Sequence, residues 1–119
     1  MSIFLTDYSF SLSYSDQYIK SKDLDLSKNR LSRLPDSFSS LVGLEHLKLD
    51  DNLFLKVPAP VSSLTNLKYF SADHNGITDI SALLECVSLE TIIVQIQMPI
   101  DLPLRLPKLR SYKWSESRL

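Results

Sequence analysis

Apolar and polar residues alternate along the chain in a pattern that returns at a nearly constant distance. Leu24 and Leu26 recur 23 residues later as Leu47 and Leu49, and the same frame returns after a further 23 residues. Each of these copies continues with an asparagine: Asn29, Asn52 and Asn75. Alternation with period two predicts a short strand with one buried face, and a repeat of this length indicates a stack of similar coils.

Weaker copies continue the pattern toward the C-terminus, so the repeats extend over nearly the whole chain. The fourth and fifth copies are marked by these residues: Leu89, Ile92, Val94 and Gln97, then Leu109, Tyr112 and Trp114. In the fourth copy Gln97 stands where the earlier copies have asparagine. We predict that side chains of the stacked asparagines bond the backbone of adjacent coils, because an amide both donates and accepts and asparagine tolerates a left-handed backbone.

The segment that returns from one strand to the next differs among repeats. The first two returns contain Pro35 and Pro58. Proline does not fit inside a helix or donate to a ladder, so these returns are predicted to be irregular or a single helical turn. The third return, residues 77–86, is predicted to be more helical, with Asp79 or Ser81 as its N-cap.

Both ends of the stack need covering, since one coil cannot bury its apolar face alone. Residues 8–15 alternate aromatic or leucine side chains with serines, which predicts a half-buried strand. Residues 1–20 are therefore interpreted as an N-terminal cap, and residues 21–119 as four to five repeats of which the last is truncated. Tyr112 and Trp114 are predicted to close the C-terminal end of the core.

These residues resemble the leucine-rich repeat, L-x-x-L-x-L-x-x-N-x-L, over residues 21 to 119. The resemblance implies an α/β solenoid with a short curved parallel sheet on its concave face. It also implies irregular or short helical returns on the convex face and a β/turn cap at the N-terminus. The third return is similar to that of internalin-like repeats, and in size and style the chain resembles the short leucine-rich-repeat effectors of intracellular bacteria such as Legionella. Proteins of this kind bind other proteins, and some inhibit an enzyme by covering its active site.

Charge and cysteine content narrow the function classes further. The 13 Lys and Arg residues nearly balance the 14 Asp and Glu residues, so we expect neither a nucleic-acid nor a membrane partner. The first residues lack a basic segment and a long apolar run, which leads us to expect a cytoplasmic protein, or one in the host cytosol if it is a translocated effector. The single cysteine, Cys86, excludes an internal disulfide and is interpreted as a small core residue.

Motifs for catalysis are missing from the sequence, and we expect neither enzymatic activity nor a cofactor. There is no glycine-rich phosphate loop, no G-x-S-x-G and no H-E-x-x-H. Two histidines with neighbouring acids are the exception, and a metal-dependent hydrolase site there stays open: His46, Asp50, Asp73 and His74. Such residues on the face of a repeat protein are more commonly solvated charges than metal ligands.

The function signal lies in the residues that alternate with the buried ones. Side chains in a strand point alternately to opposite faces, so these residues should line the concave face. The predicted partner-binding residues are Asp25, His46, Lys48, Asp50, Tyr69, Ser71, Asp73, His74, Ile93 and Lys113. Their acidic excess beside an apolar spot predicts a monomeric protein that binds a partner with a basic and apolar patch. The alternative is a structural module that associates with itself through the edge strand containing Trp114.

Overall fold

A computed structural model describes residues 22–95 and 106–114, with the side chains of 112–114 left out. Strands occur at regular intervals along these residues: β1 (Asp23–Asp25), β2 (His46–Lys48), β3 (Tyr69–Ala72), β4 (Thr91–Val94) and β5 (Ser111–Trp114). They form one parallel sheet in sequence order, β1-β2-β3-β4-β5. The protein has a leucine-rich-repeat solenoid fold, as the sequence pattern predicted.

The register of the sheet follows the alignment of the repeats. Asp23 pairs with His46, His46 with Tyr69, Tyr69 with Thr91 and Thr91 with Ser111. This register agrees with the sequence alignment through the fourth and fifth repeats, where the pattern is weakest. A one-residue slip would move every apolar side chain to the other face, so the buried face fixes the register.

The inward-facing residues of the strands, and the residues that directly follow β1 and β2, are all buried where their side chains are described. They are Leu24, Leu26, Leu47, Leu49, Phe70, Ala72, Ile92 and Val94. Each coil adds buried apolar residues from its loop and its return, and these stack in columns such as Leu31, Phe54 and Ile77. Burial of this apolar surface supplies the main favourable free energy of folding.

An asparagine ladder joins successive coils, as predicted. The Asn52 side-chain oxygen accepts hydrogen bonds from the backbone N–H of Asn29 (3.1 Å) and Leu31 (2.8 Å). Its amide group donates to the carbonyl of Leu26 in the preceding coil at 3.0 Å. Asn75 repeats the arrangement one coil later and accepts from the N–H of Phe54 at 3.0 Å.

The left-handed backbone conformation falls on residues next to the asparagines. The residue before each asparagine has a positive φ: Lys28 (63°), Asp51 (55°) and His74 (56°). Arg30 also has a positive φ, 56°. Asn29, Asn52 and Asn75 themselves do not have a positive φ. The side chain of the asparagine must point inward to reach the carbonyls, and the left-handed conformation occurs at the residue before it.

Short 3₁₀ helices form the returns, at Asp36–Ser40, Ala59–Ser63 and Ser81–Glu85. They bury Phe38, Val61 and Leu83 respectively. The first two are single short turns, as predicted. The third has the same length, so the expectation of a more helical return was wrong.

The start of the third return also differs from the predicted N-cap. Ile80 is the N-cap residue, and no side chain makes a capping hydrogen bond there. The Asp79 carboxylate instead accepts a hydrogen bond from the backbone N–H of Ser81 at 2.9 Å, two residues on. This bond and a second one to the Ser81 side chain lower the pKa of Asp79 below its usual value.

Three predicted features lie outside the described residues: the N-terminal cap, Gln97, and the side chains of Tyr112 and Trp114. Within the part that is described, no helix has the length and apolar character needed to cross a bilayer.

Candidate protein-binding surface

Outward-facing strand residues form two rows across the sheet, which we call the concave face. The first row contains Asp23, His46, Tyr69, Thr91 and Ser111. The second row contains Asp25, Lys48, Ser71 and Ile93. Parallel pairing places neighbours in a row about 4.8 Å apart, so the predicted residues of the strands are brought together on one surface.

The first row is held by contacts between its own members. Nδ1 of His46 hydrogen-bonds to Oδ1 of Asp23, and both side chains remain about half exposed or more. The rings of His46 and Tyr69 lie 6.2 Å apart between centroids, at an angle of 47°. The Tyr69 ring is thus positioned beside a polar pair, an arrangement that suits a protein contact because tyrosine offers both apolar area and a hydroxyl.

The second row combines charge with apolar area. Asp25 and Lys48 are paired in register, and each is partly buried. Ile93 is also partly buried and lies beside Ser71 in the sheet. The side chain of Lys113 is not described, although its backbone pairs with Ile93.

Asp50 connects two coils at the ends of the strands. Its Oδ1 accepts hydrogen bonds from the Ser71 hydroxyl and from the backbone N–H of Asp73, the latter at 2.8 Å. Its own backbone N–H donates to the hydroxyl of Ser27 at 3.1 Å. The Asp50 carboxylate therefore has a structural role as well as a place on the face.

Ser71, one of the predicted partner-binding residues, is buried in the structure. Its relative exposure is only 2%, because the hydroxyl is turned toward Asp50 and the residue lies between two strands. Ser71 therefore orients Asp50 rather than forming accessible surface.

The carboxylate of Asp25 has an altered acidity. Burial acts to raise its pKa, but hydrogen bonds from the side chain and backbone of Ser27 and the charge of Lys48 act in the opposite direction, and the net effect is a lowered pKa. The backbone N–H of Ser27 donates to Oδ1 of Asp25 at 3.0 Å. This negative charge is thus retained on the concave face at neutral pH.

The two histidines do not form a common metal site. His46 lies at the start of its strand beside Asp23, whereas Nε2 of His74 lies 4.0 Å from Oδ2 of Asp73 in the loop after β3. Among the residues that the structure describes, no group of three or more His, Cys, Asp or Glu side chains is arranged to hold a metal ion. The hypothesis of metal-dependent hydrolysis therefore has no geometric support in this region.

Cys86 lies in the core, as interpreted from the sequence. It is fully buried, and its sulfur lies 3.2 Å from the carbonyl oxygen of Val61. Burial and the nearby charge of Glu85 raise the pKa of the thiol from 9.0 to about 12. A thiol in this state is a poor nucleophile at neutral pH.

A row of alternating charges runs along the edge where the chain approaches the strands: Lys22, Glu45, Lys68, Glu90 and Arg110. Nζ of Lys68 lies 3.6 Å from Oε1 of Glu45, and Nη1 of Arg110 lies 3.8 Å from Oε1 of Glu90. The alternation is visible in the sequence once the repeats are aligned. These two pairs offset most of the charge along this edge, which has three cations and two anions.

The opposite edge contains exposed leucines that the sequence pattern did not single out as a pair. Leu53 and Leu55 are 58% and 71% exposed, on either side of the buried Phe54. The sequence signal was the presence of leucine at two positions where the first repeat has Arg30 and Ser32. Alignment of the repeats position by position would have identified both leucines.

Comparisons with known proteins agree with this architecture. Residues 20–54 match the sequence profile of the leucine rich repeat. No curated protein shows significant sequence similarity to the chain.

Solved structures of Listeria monocytogenes internalins have the same fold. Internalin C2 is 26% identical and superimposes with a TM-score of 0.67, over 82% of this chain and 46% of the internalin. The internalin InlF is 24% identical with a TM-score of 0.64, over 81% of this chain and 29% of its own. The functional domain of InlJ is 19% identical with a TM-score of 0.61, over 82% of this chain and 22% of its own. The chain thus spans less than half the length of each of these proteins. Leucine-rich-repeat proteins and internalins are typically non-catalytic protein-interaction modules.

Proposed function

We propose that this chain is a non-catalytic module that binds another protein through its concave face. The observation that carries the proposal is the register of the sheet, which places Asp25, Lys48, Tyr69 and Ile93 on one surface. The acidic carboxylates and the partly buried isoleucine fit a partner that offers basic and apolar side chains.

The concave face is ordered before any partner arrives. The Asp50 carboxylate accepts from the Ser71 hydroxyl and the backbone N–H of Asp73, and the Asp25 carboxylate accepts from the backbone N–H of Ser27. Side chains that are already fixed lose little conformational entropy on binding, which favours affinity. This order supports a binding role over a merely solvated surface.

The size of the face limits how a partner binds. Five strands about 4.8 Å apart, each of three or four residues at about 3.3 Å per residue, give a projected area of roughly 300 Å². A stable protein complex buries about 800 Å² on each partner. The partner must therefore also contact residues outside the sheet, and the loops that follow the strands adjoin the face.

For the biological setting, we propose a bacterial effector that acts in the host cytosol and modulates a partner enzyme by covering its surface. The internalin-like fold supports a bacterial origin, and the near-zero net charge fits a role that needs neither nucleic acid nor membrane. On this proposal the protein acts as a monomer.

Affinity capture with matched variants tests the binding face. Wild-type protein, the double variant Tyr69→Ala/Ile93→Asp, and the control Val42→Ser/Val87→Ser are each immobilised and exposed to the same host-cell lysate. Quantitative mass spectrometry should show a protein that is retained by the wild type and the control and lost from the concave-face variant. Equal retention by all three would refute binding through this face.

Light scattering tests the alternative of self-association through β5. A mass equal to one chain of 13.6 kDa at every concentration agrees with the proposal. A concentration-dependent dimer would favour the structural module instead.

A further inference from the structure

The two exposed leucines lie in the segments that follow the strands, which we call the loop edge (residues 28–33, 51–56 and 74–79). Leu53 and Leu55 have the highest exposures among the large apolar side chains that the structure describes, 58% and 71%. Phe54 between them is completely buried. Both leucines thus face outward from the same coil, on either side of an inward-facing phenylalanine.

This part of the chain is held on both sides by its neighbours. The backbone N–H of Leu53 donates to the carbonyl of Leu31 at 2.7 Å. On the other side, the carbonyls of Phe54 and Leu55 accept from the N–H groups of Gly76 and Thr78, each at 3.0 Å. The leucines are therefore presented on a fixed backbone, and a partner that buries them orders little additional chain.

Gly76 leaves space beside the leucines. It occupies the position equivalent to Leu53 in the next coil, and a Cβ atom added there would lie 3.3 Å from Cδ2 of Leu55. The end of the Leu55 side chain thus lies close to Gly76. The two leucines and this glycine form a small exposed apolar surface, which we call the shelf.

Positive charge borders the shelf on the side of the first repeat. Lys28, Arg30 and Arg33 are all exposed there, and residues 28–33 include no acidic side chain. Along the opposite edge of the sheet, by contrast, cations alternate with anions that pair with them. The loop edge therefore places a cationic coil directly beside the coil with the two exposed leucines, whose own charges, Asp51 and Lys56, are of opposite sign. The described side chains of the adjoining concave face include two acids, Asp23 and Asp25, and one base, Lys48.

We propose that the loop edge is a second binding surface, and that it takes an acidic, amphipathic segment of a partner protein. The segment crosses the stack, with its carboxylates over Lys28 and Arg33 and its apolar side chains over Leu53 and Leu55. Arginine and lysine pair with carboxylates, and leucine side chains of this exposure gain from removal from water. The loop edge requires the opposite charge from the partner of the concave face, and its role does not depend on that face binding anything.

Selection from a library of random twelve-residue peptides displayed on phage tests the proposal without assuming a sequence. Wild-type protein is the bait, and the selected peptides are then synthesised with a fluorophore and titrated by anisotropy. They should combine Asp or Glu with Leu, Ile or Phe. Their affinity should fall at least about tenfold on Leu53→Ser/Leu55→Ser, as expected when anchoring side chains are removed, and comparably on Arg33→Glu.

Matched controls separate this surface from the others. Val42→Ser/Val87→Ser alters exposed apolar residues away from the loop edge and should leave the affinity unchanged, as should Tyr69→Ala on the concave face. Peptides rich in Lys or Arg, or peptides that lose affinity for Tyr69→Ala but not for the leucine variant, would overturn the proposal while leaving concave-face binding intact. A dimer that disappears in Leu53→Ser/Leu55→Ser would also overturn it, because the occupant would then be a second copy of the chain.

Discussion

Replacing Asn52 by alanine tests the ladder that joins the first coils. The Asn52 oxygen is the acceptor for two buried backbone N–H groups, those of Asn29 and Leu31. Alanine leaves both donors without this acceptor inside the protein. A buried donor that loses its acceptor costs about 1–3 kcal/mol, so Asn52→Ala should lower the free energy of unfolding by about 2–6 kcal/mol.

Two further variants calibrate this value. In the described part of the chain, the Asn75 oxygen accepts one backbone hydrogen bond, from Phe54, in a partly buried setting. Asn75→Ala should therefore cost about 1–3 kcal/mol, less than Asn52→Ala. Lys48→Ala changes an outward-facing side chain and should stay within about 0.5 kcal/mol of the wild type.

Urea unfolding monitored by far-ultraviolet circular dichroism measures all three variants. The midpoint should fall in the order Lys48→Ala, Asn75→Ala, Asn52→Ala, with a constant slope if only stability changes. An Asn52→Ala midpoint no lower than that of Lys48→Ala would refute the ladder as a source of stability. Equal midpoints for the two asparagine variants would contradict the inference that Asn52→Ala removes the acceptor of two backbone N–H groups and Asn75→Ala the acceptor of one.

Three other perturbations have definite expected outcomes. Leu49→Ala should lower the free energy of unfolding, measured by urea unfolding, by about 2–5 kcal/mol because Leu49 is completely buried. A cost as small as that of Lys48→Ala would contradict the assignment of Leu49 to the inner face and Lys48 to the outer face. Gly76→Ala should raise the melting temperature slightly, by the equivalent of about 0.4–1 kcal/mol. The reason is that φ at Gly76 is not positive and the exposed Leu55 side chain is free to shift away from the added Cβ. A lower melting temperature would show that Leu55 is fixed. Cys86 should react with a thiol reagent at pH 8 only after unfolding. Stability should fall more steeply above pH 9.0 in the wild type than in Cys86→Ser, because the unfolded chain loses the thiol proton there while the folded thiol keeps it up to about 12. Labelling of the native protein, or an equally steep fall in Cys86→Ser, would contradict this.

The inward-facing positions could be predicted from the sequence because burial imposes period two on every strand. Leu47, Leu49, Ile92 and Val94 are buried as the alternation requires, and even the weak fourth copy pairs in the expected register. A buried face tolerates few polar residues, so the pattern remains readable where the asparagine is lost.

The loop conformation was less predictable because it depends on hydrogen bonds between coils. The amide of Asn52 donates to the carbonyl of Leu26 in the preceding coil, and the residue with the left-handed conformation is Asp51. The propensity of asparagine for that conformation is a local preference, and the contacts between coils overrule it. The third return likewise stays a single 3₁₀ turn, since each return packs against the one before it.

Exposure on the concave face was only partly predictable for a similar reason. Alternation places Ser71 outward, but its hydroxyl turns to Asp50 and becomes buried. The exposure of Leu53 and Leu55 as a pair was not predicted, because leucine in a leucine-rich repeat is ordinarily a core residue. Only comparison with Arg30 and Ser32, their equivalents in the first repeat, distinguishes them.

The affinity of the captured partner for Ile93→Asp, measured by isothermal titration calorimetry beside Val87→Ser, tests the central claim most directly. Ile93 lies in the second row of the concave face, and Val87 is exposed away from it. A carboxylate at position 93 should weaken binding at least about tenfold, because it would be desolvated in the contact, while Val87→Ser leaves the affinity unchanged. Equal affinities for the two variants would contradict recognition through the concave face.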